Sequence, residues 1–133
     1  MRQIYVNLPV RDLDASKAFF EAIGFTLNPA YTDDTAACMV IDENIALMLL
    51  THPKFREFVP GGIADATAGT EVINAISADS REEVDELKAK ALAAGATSWK
   101  PPMDEAGMYS RSFQDLDGHV WESLFMDPRT GAA

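Results

Sequence analysis

The sequence predicts an α+β fold built from two βαβββ modules, which together form an open, eight-stranded, barrel-like mixed sheet with the helices on its outer face. One order of elements, namely strand, helix, glycine, short strand and hairpin, occurs twice along the 133 residues. A chain of this length forms one domain or two small halves. Two sheets that each carry a helix on one face can curl together and enclose a cavity with their other faces.

The first module covers residues 1–51. A helix is predicted over 12–24, because its apolar residues recur at helical spacing. Asp12 or Asp14 can cap the start of this helix, and Gly24 occupies the position that ends helices. Runs of β-branched and other apolar residues predict the strands. The predicted strands of this module are 4–8, 25–27, 36–41 and 45–50.

Residues 52–69 are predicted to connect the two modules. The segment 53–58 suits one or two helical turns, which the following Pro60-Gly61-Gly62 sequence ends. A connection this long is uncommon inside a compact domain and is often functional. A lid over a binding site and a plain linker both remain open as interpretations.

The second module covers residues 70–127 and repeats the order of the first. Its helix is predicted to begin at Ser80 and to end at Gly95, because Ser80 and Glu83 have the spacing of a capping box. A polar turn at 115–118 joins the last two strands. The predicted strands of this module are 70–78, 97–99, 108–114 and 119–125.

Charge and cysteine content exclude several classes of protein. The chain has 11 Lys and Arg against 21 Asp and Glu, a net charge of −10. Since no basic cluster is present, nucleic acid and anionic membranes are disfavoured as partners. The single Cys38 excludes an internal disulfide and a zinc site built from several cysteines. The sequence also shows neither a signal-peptide pattern nor an apolar run of about 20 residues, so a cytoplasmic location is expected.

Two segments of the sequence resemble a known superfamily. They are Leu8-Pro9-Val10-Arg11-Asp12-Leu13 in the first module and Phe113-Gln114-Asp115-Leu116-Asp117-Gly118-His119-Val120-Trp121-Glu122 in the second. On these residues the chain resembles, over almost its whole length, the vicinal oxygen chelate superfamily, which includes glyoxalases, bleomycin-resistance proteins and extradiol dioxygenases. The resemblance is fairly specific for the fold and much less specific for the reaction.

The resemblance also implies four metal-ligand positions, one on each of four strands. They fall on Tyr5, Leu49, Ile73 and Glu122, of which only Glu122 is an ordinary metal ligand. A catalytic metal normally needs about three protein ligands. A bound divalent metal is therefore disfavoured, and no cofactor is expected.

Residues two positions apart on a strand point to the same face, so the neighbours of these four positions are predicted to line the same cavity. The predicted ligand-binding residues are Tyr5, Asn7, Leu47, Leu49, Glu71, Ile73, Arg111 and Glu122. A mainly apolar lining with a few polar groups is typical of a pocket for a small molecule. The alternative that these side chains simply fill a collapsed barrel remains open.

Glu122 is the candidate catalytic residue. The bulky neighbour Trp121 suits the face of the last strand that packs on a helix, so Glu122 is expected to point to the opposite face, into the cavity. If the preceding turn contains four residues, Arg111 lies opposite Glu122 on the neighbouring strand. We therefore expect a buried Arg111–Glu122 pair, with a structural role or a role in binding an anionic group.

Three functions remain open on the sequence, and whether the chain is an enzyme is not decided. The first is binding of a small, partly apolar molecule without a catalytic metal, as in bleomycin-resistance proteins. The second is a glyoxalase-like lyase or isomerase that uses Glu122. The third is a non-catalytic regulatory or interaction subunit with a vestigial pocket. A homodimer is expected, because the repeat leaves exposed sheet edges and an apolar rim and because the superfamily resemblance implies two-fold dimers.

Overall fold

The computed structural model describes residues 1–128. The chain divides into two compact units, unit 1 from Met1 to Asp65 and unit 2 from Ala66 onward, so the division falls within the predicted connector. The α+β fold with two similar modules is confirmed, because each unit contains one sheet and a helix of at least ten residues that packs on it. No helix in this part of the chain is long and apolar enough to cross a membrane.

Unit 1 contains a four-stranded mixed sheet. Its strand order is β1-β4-β3-β2, with β1 parallel to β4 and the other neighbours antiparallel. A short 3₁₀ turn follows β2. The elements are β1 (Ile4–Val10), α1 (Leu13–Ala22), β2 (Thr26–Asn28), the 3₁₀ turn (Pro29–Tyr31), β3 (Ala36–Asp42), β4 (Ile45–Thr51) and α2 (His52–Phe58).

Local signals set both ends of α1. The Asp12 carboxylate accepts a hydrogen bond from the backbone N–H of Ala15 at 3.0 Å, which satisfies a donor that the first turn leaves free. Just after the helix, Gly24 has a φ of +109°, a backbone conformation that side chains disfavour. The predicted ends are therefore confirmed, with Asp12 rather than Asp14 as the cap.

The sheet of unit 1 has one helix-covered face and one open face. The sheet side chains with no exposed surface all lie on one face, namely Ala37, Met39, Leu47 and Leu49. Because α1 contacts β2, β3 and β4, and its Phe19 and Phe20 are also buried, we assign this face to α1. On the opposite face, Tyr5 is 55% exposed.

Unit 2 contains a five-stranded mixed sheet. Its strand order is β5-β9-β8-β6, with β7 also paired to β8, and β5 is parallel to β9. The strand β7 is additional to the prediction, which had four strands in this module. It forms a hairpin with β8 through Ala106 and Gly107, which both have positive φ, as such two-residue turns require. The elements are β5 (Ile73–Ser77), α3 (Arg81–Ala93), β6 (Thr97–Ser98), β7 (Met103–Glu105), β8 (Met108–Gln114) and β9 (Val120–Met126).

The predicted capping box at the start of α3 is confirmed with one change. The Ser80 hydroxyl accepts the backbone N–H of Glu83 at 3.1 Å. The Glu83 carboxylate accepts the N–H of Asp79 at 2.7 Å, one residue before the cap itself. The first bond satisfies a donor that the first helical turn leaves unpaired, and the second holds the chain just before the cap, so the sequence signal and the observed start agree.

The turn between β8 and β9 contains five residues rather than the four predicted. The Asp115 carboxylate accepts the backbone N–H groups of Asp117 and His119, each at 3.0 Å, and the Asp115 N–H donates to the His119 carbonyl at 2.9 Å. These bonds hold His119 inside the turn. Gln114 consequently pairs with Val120, which shifts the whole β8–β9 register by one residue from the prediction.

Gly118 is the residue of this turn that requires glycine. Its φ is +86°, and a Cβ at this position would lie 2.8 Å from Thr67 Cγ2 and 3.1 Å from the Thr67 nitrogen. Any other residue would therefore meet both backbone strain and a steric clash. The end of the predicted connector thus packs directly on the turn within unit 2.

Candidate functional site

Tyr5 and Asn7 lie on the open face of unit 1, but Leu47 and Leu49 do not. In the parallel pair of β1 and β4, Tyr5 is opposite Ala46, so the two leucines point to the face that α1 covers. The prediction that all four line one cavity is therefore wrong for Leu47 and Leu49. The register between β1 and β4 decides which residues of β4 share a face with Tyr5 and Asn7. Alternation within a single strand does not specify that register.

The open face of unit 1 contains a pocket of about 260 Å³. Its floor consists of Cys38, Val40 and Ala46 from the two central strands. Ala46 lies between Tyr5 and Val40 on the neighbouring strands, and its single methyl group leaves space that a longer side chain would fill. Ligand pockets typically have volumes of about 300–1,000 Å³, and this one lies just below that range, so it has room only for a molecule of about the size of one substituted ring.

Tyrosine and amide side chains form the walls of this pocket. Tyr5 and Gln3 stand on the β1 side, where the Tyr5 hydroxyl donates a hydrogen bond to Gln3 Oε1. Asn28 and Tyr31 stand on the β2 side. The Asn28 side chain accepts a backbone N–H at 3.1 Å and so caps the 3₁₀ turn that carries Tyr31. The Asn7 amide donates instead to the Tyr5 carbonyl at 3.2 Å, beside the pocket.

The hairpin between β3 and β4 closes one end of the pocket and supplies two carboxylates. A β-bulge between Val40 and Asp42 interrupts the pairing of these strands, and bulges change the direction in which a side chain points. Asp42 and Glu43 both line the pocket, and no described Lys, Arg or His does. The pocket is therefore aromatic at its sides and negatively charged at this end.

Cys38 in the floor is an unreactive thiol. It is 3% exposed, and burial raises the pKa of its thiol. Because the thiolate is the reactive form of cysteine, a protonated thiol at neutral pH is a poor nucleophile. We therefore assign Cys38 a packing role in the pocket floor.

Glu122 points away from the helix in unit 2, as predicted. Asp85 of α3 contacts Tyr109 and Arg111 of β8, which identifies the helix-covered face of this sheet. Trp121 lies on that face, and Glu122 follows it on the opposite face. Glu122 is only 8% exposed, so its carboxylate is largely removed from water.

Ile73 shares the face of Glu122, again as predicted. The parallel pairing of β5 with β9 places Ile73 opposite Val120 and Ala75 opposite Glu122. Glu71 was expected on the same face as part of a strand beginning at residue 70, and this is wrong. Since β5 begins at Ile73, Glu71 precedes the strand and is exposed, and strand alternation does not determine its direction.

Arg111 is not the partner of Glu122, so the predicted pair is wrong. Because the turn contains five residues, Ser112 and not Arg111 lies opposite Glu122. The shift of one residue moves Arg111 to the helix-covered face, where its Nη1 lies 3.4 Å from Asp85 Oδ1. The cation beside Glu122 is Lys100, whose Nζ lies 3.4 Å from Glu122 Oε2.

Ser110 and Ser112 bring two buried hydroxyls to the face of Glu122. Both residues are at most 1% exposed, and neither hydroxyl has a hydrogen-bond partner among the described residues. A buried polar group without a partner costs about 1–3 kcal/mol. These hydroxyls therefore have unused hydrogen-bonding capacity beside a carboxylate. Neither serine was predicted as a site residue from the sequence, although alternation along β8 identifies both once the length of the turn is known.

Tyr109 of β8 contacts α3, and its ionisation can be used to measure this contact. Its hydroxyl donates a hydrogen bond to Asp85 Oδ1, and this bond, together with burial, raises the pKa of Tyr109 above its usual value of 10.0. Because the folded-state pKa is raised, the interaction stabilises the fold below about pH 10 and is lost as the pH rises through the raised pKa. We expect Asp85→Ala to lower the pKa of Tyr109 towards 10.0 in an absorbance titration of tyrosinate.

The variant Tyr109→Phe is the control for this titration, since it removes the Tyr109 signal and so identifies it among the three tyrosines. An unchanged high-pH transition in Asp85→Ala would contradict the assignment, because the raised pKa of Tyr109 would then have a cause other than the hydrogen bond to Asp85.

The side chains at the four implied metal positions do not fit a divalent metal ion. Leu49 lies on the helix-covered face of unit 1, Ile73 offers only hydrocarbon, and Tyr5 is a poor ligand at neutral pH. Glu122 alone is an ordinary ligand. Within residues 1–128, no three His, Cys, Asp or Glu side chains are grouped so that they could hold a metal ion. The expectation of a protein without a catalytic metal stays a prediction.

Comparison with known proteins agrees with this architecture. Residues 2–42 match the family model described as bleomycin resistance protein-like N-terminal. No curated protein sequence matches the chain at a significant level. Among solved structures, a hypothetical protein from S. aureus is similar with a TM-score of 0.80 and 28% identity, and the alignment covers 94% of each chain.

Two further solved structures show the same fold at lower identity. A glyoxalase/bleomycin resistance protein/dioxygenase family enzyme from Burkholderia phytofirmans has a TM-score of 0.78 and 22% identity, over 95% of this chain and 99% of that one. A genomically encoded fosfomycin resistance protein from Listeria monocytogenes has a TM-score of 0.67 and 20% identity, over 98% of this chain and 97% of that one. Similarity at this level carries information about fold and not about reaction.

Proposed function

We propose that this chain, which resembles proteins of the glyoxalase and bleomycin-resistance type in its fold and in its N-terminal sequence, binds a small, partly apolar molecule without a catalytic metal ion. The observation that carries the proposal is the pocket on the open face of unit 1. Its two tyrosine walls and its small apolar floor, with polar side chains around them, form a concave lining that can hold a small molecule. The segment that matches the bleomycin-resistance family model contains most of this lining.

The side chains at the implied metal-ligand positions support binding of a molecule rather than turnover assisted by a metal ion. Three of the four positions at which the superfamily resemblance implies ligands hold Tyr5, Leu49 and Ile73. None of these replaces the histidine or carboxylate that a catalytic zinc, nickel or iron ion requires. A chain that has a pocket but lacks this ligand set suits sequestration of a molecule.

The proposal predicts that filling the pocket removes binding. Ala46→Leu places a larger side chain in the floor, where only a methyl group now lies. We expect benzyl alcohol or a charged benzyl probe to shift the amide NMR signals of pocket residues in the unmodified chain. The same titration of Ala46→Leu is expected to show binding about tenfold weaker or none.

The matched control is Ala18→Leu, which makes the same change at an exposed position of α1. It is expected to bind the probes as the unmodified chain does. The proposal is contradicted if no small aromatic probe, neutral or charged, shifts the pocket signals. It is equally contradicted if Ala46→Leu binds the probes as tightly as Ala18→Leu.

A glyoxalase-like lyase or isomerase that uses Glu122 is the second candidate function. The buried carboxylate of Glu122 beside the free hydroxyls of Ser110 and Ser112 favours it, because desolvated carboxylates are suited to proton transfer. In that case the chain would turn over a glutathione thiohemiacetal, and Glu122→Gln would abolish turnover while the protein stays folded. A non-catalytic regulatory or interaction subunit, the third candidate, would show neither turnover nor binding.

A homodimer and a cytoplasmic location remain proposals. Support for the dimer comes from the edge strands β1 and β5, which carry exposed apolar side chains at Ile4, Tyr5 and Ile73. Exposed edge strands with apolar residues favour association with another chain. Sedimentation as a 14.5 kDa species at micromolar concentration would contradict the dimer.

A further inference from the structure

We infer that the unit 1 pocket selects organic cations, that is, small molecules in which an apolar group carries a quaternary or protonated nitrogen. This inference rests on the proposed binding function and names the class of molecule bound. It comes from three features of one pocket: two tyrosine rings, two carboxylates and the lack of any described basic side chain in the lining.

The tyrosines supply the first half of the recognition. Tyr5 and Tyr31 stand on opposite walls and are 55% and 69% exposed, so much of each side chain is open to a ligand. The faces of aromatic rings carry partial negative charge and attract a cation that lies within about 6 Å of the ring centre. Alkyl and aryl groups on the same nitrogen would pack on the compact floor formed by Val40 and Ala46.

The carboxylates supply the second half. The β3–β4 hairpin places Asp42 and Glu43 at one end of the pocket, and the Asp42 carboxylate accepts the Glu43 N–H at 2.7 Å, which holds it in the turn. Neither residue forms an ion pair with a described residue. Their charges are thus available to a ligand.

The same features disfavour the other classes of ligand. An anionic ligand would lie beside two carboxylates, and no described Lys, Arg or His in the lining could offset the cost of removing its charge from water. A neutral ligand would gain the packing on the walls and floor but nothing from Asp42 and Glu43. The net charge of −10 further favours encounter with cations over encounter with anions.

Three probes with one common ring separate these classes, namely benzyltrimethylammonium, benzyl alcohol and benzoate. In amide NMR titrations of the full chain at low salt, we expect benzyltrimethylammonium to bind about tenfold more tightly than benzyl alcohol. Benzoate is expected to show no saturable shifts. Tyr31→Leu is expected to weaken binding of the cation more than binding of the alcohol, because leucine preserves apolar contact but not the ring face.

The variant Asp42→Asn tests the role of the carboxylate. It keeps an acceptor for the Glu43 N–H and removes the charge, so the hairpin is expected to stay intact. We expect it to weaken benzyltrimethylammonium about threefold and to leave benzyl alcohol unchanged. Asp34→Asn is the matched control, because it removes the same charge from an exposed residue of unit 1 outside the pocket lining.

Each outcome separates this inference from the proposed function. If benzyl alcohol binds as tightly as the cation, the pocket binds small molecules and only the inference about cations is wrong. Equal weakening by Asp34→Asn and Asp42→Asn would also overturn it, since the net charge of the chain would then account for the preference. If none of the three probes shifts the pocket signals, the proposed function and this inference are both wrong.

Discussion

Replacing Asp115 with alanine is expected to lower the free energy of unfolding by about 3 kcal/mol or more. Asp115 is 6% exposed, and its carboxylate accepts three hydrogen bonds, each of 3.0 Å. Two come from the backbone N–H groups of Asp117 and His119, and the third comes from the indole N–H of Trp121. Alanine leaves these donors without that acceptor, and each buried donor left unpaired costs about 1–3 kcal/mol.

Chemical denaturation followed by tryptophan fluorescence measures this effect. Glu86→Ala, at an exposed position of α3, is the control and is expected to change stability by no more than about 0.5 kcal/mol. Asp115→Asn is expected to cost less than Asp115→Ala, because the amide oxygen still accepts the two backbone N–H groups. If Asp115→Ala is as stable as Glu86→Ala, the turn does not depend on this carboxylate.

The size of the Asp115 effect depends on pH. Burial raises the pKa of the Asp115 carboxyl above its usual value of 3.8, against the opposing effects of His119 and the N–H donors. The folded protein therefore holds a proton at Asp115 more tightly than the unfolded chain does. The stability difference between the unmodified chain and Asp115→Ala is expected to be largest below the usual pKa and to fall as the pH rises through the raised one.

Lys100→Met is expected to destabilise the protein more than Glu122→Gln does. The Lys100 side chain is 32% exposed and that of Glu122 is 11% exposed, so the two variants leave different groups unpaired. Removing Lys100 leaves a nearly buried carboxylate without its cation, at a cost of about 2 kcal/mol once the partial exposure of the pair is discounted. Removing the charge of Glu122 leaves an ammonium group that water still reaches, at a cost of about 1 kcal/mol or less.

A double-mutant cycle by chemical denaturation tests this asymmetry. The double variant Lys100→Met with Glu122→Gln is expected to be more stable than Lys100→Met alone, because no unpaired charge remains. Lys90→Met, at an exposed position of α3, controls for the loss of a lysine from the surface. Strictly additive effects would mean that Lys100 and Glu122 do not form a coupled pair.

The same Glu122→Gln variant distinguishes a structural from a functional carboxylate. If the carboxylate is structural, Glu122→Gln is expected to lower the melting temperature and to leave ligand binding largely unchanged. If the carboxylate is catalytic or binds the ligand, the variant is expected to lose turnover or affinity while its stability stays nearly intact or rises, because functional polar groups are held at some cost to the stability of the fold.

Features that depend on a few neighbouring residues could be predicted from the sequence. Asp12 and Ser80 begin their helices by hydrogen bonds to backbone N–H groups three residues away, and Gly24 ends the first helix by its own backbone conformation. Alternation along one strand likewise sufficed to separate Glu122 from Trp121. Each of these signals is complete within a short segment, so no knowledge of distant contacts is needed.

Pairing between strands was decided only by the tertiary structure. The extra residue in the Asp115 turn moved Arg111 to the other face and gave Glu122 a different cation, Lys100. In unit 1, the register that places Tyr5 beside Ala46 moved Leu49 into the core and opened the pocket over a small side chain. Since side chains alternate with a period of two, a register shift of one residue moves every side chain of the strand to the opposite face of the sheet. The hydrogen bonds that set the register join segments that are far apart in the sequence, so short segments do not specify it.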